Sequence, residues 1–379
     1  MSKLGLYVHI PFCQQKCLYC DFSSYARSEH LFDSYTTALC QQIVDQGGML
    51  CKPPVDTVYI GGGTPSVLPV PLLEKILKGL MANFAIQAEA EISMEANPGT
   101  VTKEQLIAVK SMGINRLSFG VQSFNDTLLT SLGRIHRTVD SLTAIEYAHT
   151  AGFTNISIDL MYGLPGQTSD GFACELEQAA ALNTSHISVY GLKLEEGTPL
   201  ATAYDQGKIN LPDEAEEEAM YDCMTDFLPK QGLLRYEISN FARPGQQCRH
   251  NLKYWQYQPY LGLGCAAHSF LQGRRISQVT GIEEYSKAMA TGSSPVAMQE
   301  NLTKNESMAE YIFLALRTTQ GMGIAEFDQY FNTDFFGHFG KVWDNLHRQQ
   351  LVATDKQQIW LTEHGMKFGN IVFRSFLPD

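Results

Sequence analysis

The stretch Leu4-Gly-Leu-Tyr7-Val-His9-Ile-Pro11-Phe12-Cys13-Gln-Gln-Lys-Cys17-Leu-Tyr19-Cys20 carries a short apolar strand pattern followed at once by three cysteines. Pro11 suits an extended entry into the loop, because the residue before a proline avoids the helical region. The spacing is C-x3-C-x2-C. Three thiolates on one loop can hold three irons of a cubane, whereas most clusters use four cysteines. The remaining iron keeps an open position that can chelate the amino and carboxylate groups of S-adenosylmethionine (SAM). An electron from such a cluster can cleave a carbon–sulfur bond of SAM, leaving methionine and a 5′-deoxyadenosyl radical; that chemistry belongs to the cofactors, and the protein positions them. Two other readings of the same residues stand beside it: a zinc site with His9 as fourth ligand, and three unrelated core cysteines.

Working outward, strand patterns recur at Leu4–His9, Thr57–Ile60, Glu91–Glu95, Arg116–Gly120, Asn155–Asp159 and His186–Tyr190. Helical patterns lie between them near 30–47, 70–84, 102–112, 138–151 and 169–182. Strand and helix alternating every thirty residues or so is the signature of βαβ units and a parallel sheet. Six units predict an incomplete barrel or an open α/β sheet, with every loop after a strand on one face. The cysteines, Gly61–Pro65, Glu95–Gly99, Gly120–Ser123 and Asp159–Gly166 all fall there, so one contiguous site is expected.

Each of these loops has a chemical reading and a plainer one. Gly61–Gly63 can offer backbone N–H groups to a carboxylate, or can be a tight turn. Glu95 and Asp159 can bond ribose hydroxyls or an amino group, or serve as helix caps or loop ion pairs. Gln122 is a neutral donor and acceptor on the same face. Arg134 can meet a carboxylate bidentately, or lie on the surface. Tyr7 alternates with Leu6 and Val8, so its ring is directed inward; Tyr19 lies inside the cysteine loop and can cover a cluster or stack on adenine.

The 379 residues exceed a typical single domain, although α/β barrels reach this length. With 44% hydrophobic and 18% charged residues, a sizeable core is expected. The net charge of −12 argues against nucleic acid as a partner. The N-terminal apolar run is too short for a signal peptide, and no run approaches the roughly 20 apolar residues that span a bilayer. The chain therefore reads as cytoplasmic, or peripheral at a membrane. Nine cysteines in a reducing compartment are thiols or metal ligands. Asp213–Tyr221 opens a solvated helix with acidic residues at its N-terminus. Residues 236–302 form an irregular extension, its aromatic, Gly- and Cys-rich part (236–275) packed near the barrel mouth. From 303 to 379 three helices (304–318, 324–331, 337–349) and a hairpin of Leu351–Thr354 with Gln358–Leu361 make a small, mostly helical, winged-helix-like C-terminal domain. The barrel then occupies 1–235.

With these residues on the page the chain resembles the oxygen-independent coproporphyrinogen III oxidase family of radical SAM proteins, along essentially its whole length. Tyr7–Cys13, the cysteine triplet, Gly61–Pro65, Glu95, Gly120–Gln122 and Asp159–Pro165 carry the resemblance, which implies a partial (βα)6 radical SAM barrel. Within the family it is more similar to the heme-chaperone branch, HemW, than to the true oxidases, HemN. The oxidases have a fourth cysteine two positions beyond the third, where Asp21-Phe22 follows Cys20 here. They also have a longer arm before the cluster. His250-Asn251-Leu252-Lys253-Tyr254-Trp255 resembles the HNxxYW motif of the chaperone branch. The resemblance implies a [4Fe–4S] cluster on Cys13, Cys17 and Cys20, and SAM contacts from Tyr7, Tyr19, Gly62, Gly63, Thr64, Glu95, Gln122, Arg134 and Asp159. Lys193 stands where the oxidases have a small residue, against a second SAM. The resemblance also implies heme as a bound group and its delivery to acceptor proteins such as membrane-bound respiratory enzymes, with no coproporphyrinogen oxidase activity; a homodimer is compatible with it. His250 is the natural iron-ligand candidate, and Tyr254 and Trp255 can stack on a porphyrin. Alternatively these are loop-packing and core residues. Cys248 and Cys265 are thiolate candidates or inert buried thiols. The rival function is oxidative decarboxylation of coproporphyrinogen III; another radical SAM reaction is a third.

Cys17→Ser is expected to abolish the cubane absorbance of anaerobically prepared protein. An unchanged spectrum removes Cys17 from the ligand set.

Overall fold

Leu6, Val8 and Ile10 on one face of the first strand have no exposed surface, and Gly5 and His9 on the other are buried too, as befits a strand covered on both faces. The computed structural model describes residues 3–378. Six parallel strands follow one another: β1 (Leu4–Ile10), β2 (Pro54–Gly62), β3 (Ala85–Ala96), β4 (Arg116–Gln122), β5 (Asn155–Tyr162) and β6 (His186–Gly191). The helices α1 (Phe32–Met49), α2 (Val70–Asn83), α3 (Lys103–Ser111), α4 (Thr138–Thr150) and α5 (Ser169–Ala181) connect them. Local chemistry marks their starts. Thr102 accepts a hydrogen bond from Gln105 N–H, and Thr168 accepts one from Gly171 N–H, each satisfying a first-turn amide. Their apolar faces join the strands in one core that includes Leu39, Ile76, Leu106, Ile145 and Leu176.

The sheet continues past both expected edges. Its order is β12-β11-β10-β9-β1-β2-β3-β4-β5-β6-β8-β7, where β7 is Leu234–Arg235, β8 Asn240–Ala242, β9 Tyr260–Leu263, β10 His268–Leu271, β11 Arg274–Gln278 and β12 Val296–Asn301. β9 runs parallel to β1, so seven strands are parallel; the outer ones are antiparallel. The segment 236–302 is therefore regular, which corrects the reading of it as irregular, and a boundary at 235/236 cuts the β7–β8 hairpin. The strands there are short and interrupted by glycine, which hides their period. Gly262 must be glycine, since a Cβ would run into the backbone of His268 on the neighbouring strand.

Two further helices matter for the site: α6 (Glu214–Lys230), capped by Asp213, and α7 (Arg249–Trp255). α7 closes the barrel at the strand N-termini. The Glu91 carboxylate of β3 accepts from the amides of Arg249 (3.1 Å) and His250 (3.1 Å). The buried Lys253 ammonium meets Asp56 at 2.7 Å and donates to the carbonyl of Lys3 at 3.0 Å.

The C-terminal unit has its own apolar core, with Phe327, Phe335, Trp343, Leu346 and Ile359. Its order is α8 (Lys304–Leu316), β13 (Met322–Gly323), α9 (Ile324–Phe331), α10 (Phe335–Arg348), β14 (Val352–Thr354) and β15 (Gln358–Leu361), the strands pairing β13-β15-β14. This is the winged-helix order. Two short helices, Glu363–Lys367 and Gly369–Ser375, follow. Among the described residues no helix is long and apolar enough to cross a membrane.

Removing one partner of a buried ion pair leaves the other charge uncompensated, at a cost of about 3–5 kcal/mol. Lys253→Met is expected to destabilise the chain by that order in urea unfolding, and the double variant Lys253→Met/Asp56→Leu to recover most of it. Equal losses in both would refute the pairing as the cause.

Candidate functional site at the barrel mouth

The cysteine loop is held down by backbone contacts along its length. Phe12–Cys13 pairs with Tyr25–Ala26, closing the loop at its base. Leu18 N–H donates to Leu132 O (3.0 Å), and Leu200 N–H to Leu18 O (2.9 Å). Gly133 has a positive φ of 71°, and a Cβ there would stand 2.8 Å from Leu18 Cγ, so only glycine admits the loop so near. The Arg134 guanidinium donates to Cys17 Sγ at 3.3 Å and to Gly120 O at 2.5 Å. A thiol–hydroxyl contact of 3.5 Å joins Cys13 to Thr64. Cys13, Cys17 and Cys20 are half-buried and unpaired.

The three sulfurs line a hollow of about 160 Å³ together with Tyr19, Gly62, Gly63, Thr64, Glu95, Gln122, Arg134 and Asp159. Of the nine SAM-contact candidates only Tyr7 lies elsewhere. Among the described residues no three His, Cys, Asp or Glu side chains are close enough to hold one metal ion. The three thiols border one common hollow. His9 is engaged otherwise: its Nδ1 bonds Tyr7 OH (2.9 Å) and its Nε2 the carbonyl of Ser23 (3.0 Å). A donor set of three half-buried thiols on one loop fits a three-cysteine cubane.

The glycine loop works differently from expectation. Its amides are already engaged: Gly62 N–H donates to Glu95 Oε2 (3.0 Å), Gly63 N–H to Ile10 O (2.8 Å) and Thr64 N–H to Phe12 O (2.7 Å). What it offers the site is closeness. At Gly63 a Cβ would sit 2.7 Å from the carbonyls of Ile10 and Phe12, and at Gly62 (φ 106°) it would collide with the His9 ring. Glu95 also accepts from Tyr59 OH at 2.7 Å. Burial pushes its carboxyl up to about 7, against the lowering effect of these two hydrogen bonds. Asp159 is likewise raised by burial, with Ser188 and Ser118 hydroxyls opposing. Gln122 sits at a positive φ of 67°, which costs a non-glycine residue of order 1–3 kcal/mol and persists only where the surroundings enforce it.

Two further compartments open beside this hollow. One of about 540 Å³ is lined by Tyr7, Tyr59, Tyr190, Tyr254, Tyr260 and His268. Another of about 460 Å³ runs into the barrel between Arg116, Asp159, His186 and Tyr190, with Lys193 at its rim. Glu95 and Phe22 border all three. The 250–255 motif is divided among them. Asn251 and Tyr254 reach the large cavity, but His250 is fully buried, with Nδ1 bonded to Thr57 Oγ1 (2.9 Å) and Nε2 to Tyr254 OH (2.8 Å). With both ring nitrogens engaged within the chain, the ring presents no unbonded nitrogen to the cavity. Trp255 turns away and stacks under Arg317 (4.5 Å) at the seam with the C-terminal unit, so it does not face the cavity. Cys248 and Cys265 are fully buried, and burial pushes both thiols up to about 12, which disfavours them as thiolate ligands.

Sequence reading missed Arg116, Tyr59, Tyr190, Asn251 and His268. Arg116 is 2% exposed, and its Nε and Nη1 have no hydrogen-bond partner among the described residues. An arginine at the head of the apolar strand Arg116–Gln122 was the available signal, since such a charge is rarely buried without a purpose. The others differ from ordinary strand and loop residues only in which compartment they face.

An incomplete parallel barrel with three cysteines on its first loop defines the class, a radical SAM protein. The radical SAM superfamily model matches residues 7–174, and that of the HemN C-terminal domain matches 302–368. The chain is 36% identical over 376 residues to the heme chaperone HemW of Bacillus subtilis, covering 98% of this chain and 99% of the relative. It is 34% identical to that of Escherichia coli, covering 100% and 99%. The solved coproporphyrinogen III oxidase HemN from Escherichia coli, a radical SAM enzyme, superposes with a TM-score of 0.88 at 27% identity, over 99% of this chain and 90% of that one. The chain belongs to the HemW family.

Burial holds several rings neutral: His250 is lowered to about 3, His136 to about 4, and His186 also lies well below its ordinary value of 6.5. The unfolded chain takes up these protons near pH 6.5 and the fold resists, so stability is full above that pH and is lost as pH falls toward 4. Glu95 opposes this, because in the fold it keeps a proton that the unfolded chain loses above about 4.5. Melting temperature is expected to fall from pH 7 to pH 4, more steeply in Glu95→Gln. Parallel profiles for the two proteins would refute the raised carboxyl.

Proposed function

We propose that this chain binds heme and delivers it to acceptor proteins, with a [4Fe–4S] cluster and SAM at the same mouth. The observation that carries the reading is the aromatic cavity of about 540 Å³ opening directly beside the three-cysteine hollow. Its volume lies within the roughly 300–1,000 Å³ of small-molecule sites, and its ring-rich wall suits a flat apolar cargo. The names of the full-length relatives, heme chaperones, support the same reading.

Cys13, Cys17 and Cys20 would hold the cluster. When bound, cluster and SAM supply one-electron chemistry at a carbon–sulfur bond. Arg134 steadies the Cys17 thiol and fixes the loop against Gly120. Tyr19, Gly62, Gly63, Thr64, Glu95, Gln122, Arg134 and Asp159 form the SAM-facing wall, Glu95 and Asp159 as acceptors and Gln122 as donor or acceptor. Tyr7 belongs with the cargo cavity. Phe22, 65% exposed, stands where the oxidases have a further cysteine and gives the mouth an apolar lip. Acceptors would include membrane-bound respiratory enzymes.

A second reading, coproporphyrinogen III oxidase, draws on the likeness to HemN. Both are tested anaerobically. Heme titration of cluster-loaded and cluster-free protein, followed by mixing with a candidate acceptor, is expected to give stoichiometric binding and transfer. With reductant, SAM and coproporphyrinogen III, no protoporphyrinogen is expected. Turnover in that assay, or absence of heme binding, would overturn the chaperone reading.

A further inference from the structure

Ten histidines are present, and three border or underlie the large aromatic cavity. His9 and His250 each have both ring nitrogens hydrogen-bonded within the chain. The third is His268. Its ring is exposed, it lines the cavity, and no hydrogen bond among the described residues holds either nitrogen. Its place follows from the chain path. β9 runs parallel to β1 and so ends at the same mouth, then turns through Gly264 (φ 100°) and Ala266 (φ 57°) and returns as β10, of which His268 is the first residue. The turn is fixed from below, where Tyr35 OH receives Cys265 N–H (3.2 Å) and donates to His9 O (2.7 Å).

We propose that His268 is the protein ligand to the iron of bound heme, presented at the open rim of the cavity walled by Tyr7, Tyr254 and Tyr260. This rests on the heme-binding reading above. The alternatives in reach are weaker. Cys248 and Cys265 are buried with their thiols held protonated, His9 and His250 would each have to give up a hydrogen bond at the ligating nitrogen, and the Tyr7 phenol is held neutral by burial and Glu95. Partial burial and Arg275 lower the His268 imidazole from its ordinary value, so it is neutral at pH 7 with a lone pair free for a metal. A ligand at the rim, in place of one sealed beneath the porphyrin, also suits a cargo that has to leave: an acceptor can approach the exposed edge and exchange ligands there.

The test uses full-length, cluster-loaded protein and hemin. Wild type is expected to show the absorption and low-temperature resonance spectrum of an imidazole-ligated heme. His268→Ala should keep the cubane absorbance, shift the Soret band and bind hemin about tenfold or more weakly. In His268→Gly, added imidazole should restore the wild-type spectrum. Hemin binding with unaltered spectrum and affinity in His268→Ala would overturn the assignment while leaving the chaperone reading intact. Failure of wild type itself to bind hemin would overturn both.

Discussion

Two backbone hydrogen bonds tie the exit of the second barrel strand to the exit of the first: Gly63 N–H to Ile10 O and Thr64 N–H to Phe12 O. The rest of the mouth depends on them. They set where Cys13 leaves the sheet, and they bring Thr64 to that sulfur. They are available only because residues 62 and 63 lack a Cβ. A short loop carrying three thiols has little apolar surface with which to fold itself. Its shape is borrowed from the strands beneath and from Leu132–Arg134 at its side.

Much of this was legible in the sequence. The alternation of six strand and five helix patterns located the first six strands and the five helices between them, missing only the first six residues of β3 by more than a few positions, because strands buried on both faces read as apolar runs and their helices as amphipathic ones. The cysteine spacing and four of the strand-end loops converge on one hollow as expected. Between residues 236 and 302 the reading failed, where strands of three to six residues carry no measurable period. β9 could not be recognised as a seventh parallel strand, since its partner β1 lies more than 250 residues earlier.

The motif at 250–255 shows what a local pattern leaves undecided. Six adjacent residues on a helix point in different directions. His250 goes to a polar layer with Thr57 and Tyr254, Lys253 to Asp56, Tyr254 to the cavity and Trp255 to the seam with the C-terminal unit. A histidine suggests metal ligation in a sequence, whereas here both ring nitrogens are bonded within the chain and the ring has no exposed surface. The distinction is made by neighbours from β2, which the motif does not contain.

Glu95 borders all three compartments, and its carboxyl titrates near neutrality. Burial raises this carboxyl toward neutrality, so what fills each compartment bears on whether it holds its proton. A cation in one favours the ionised form; an apolar plate against it favours the neutral one. Thermodynamic reciprocity then requires the converse: whatever shifts this shared proton alters how firmly each neighbouring chamber grips its contents. A shared carboxyl at a three-way junction gives the chambers of the barrel mouth a route to bear on one another through charge.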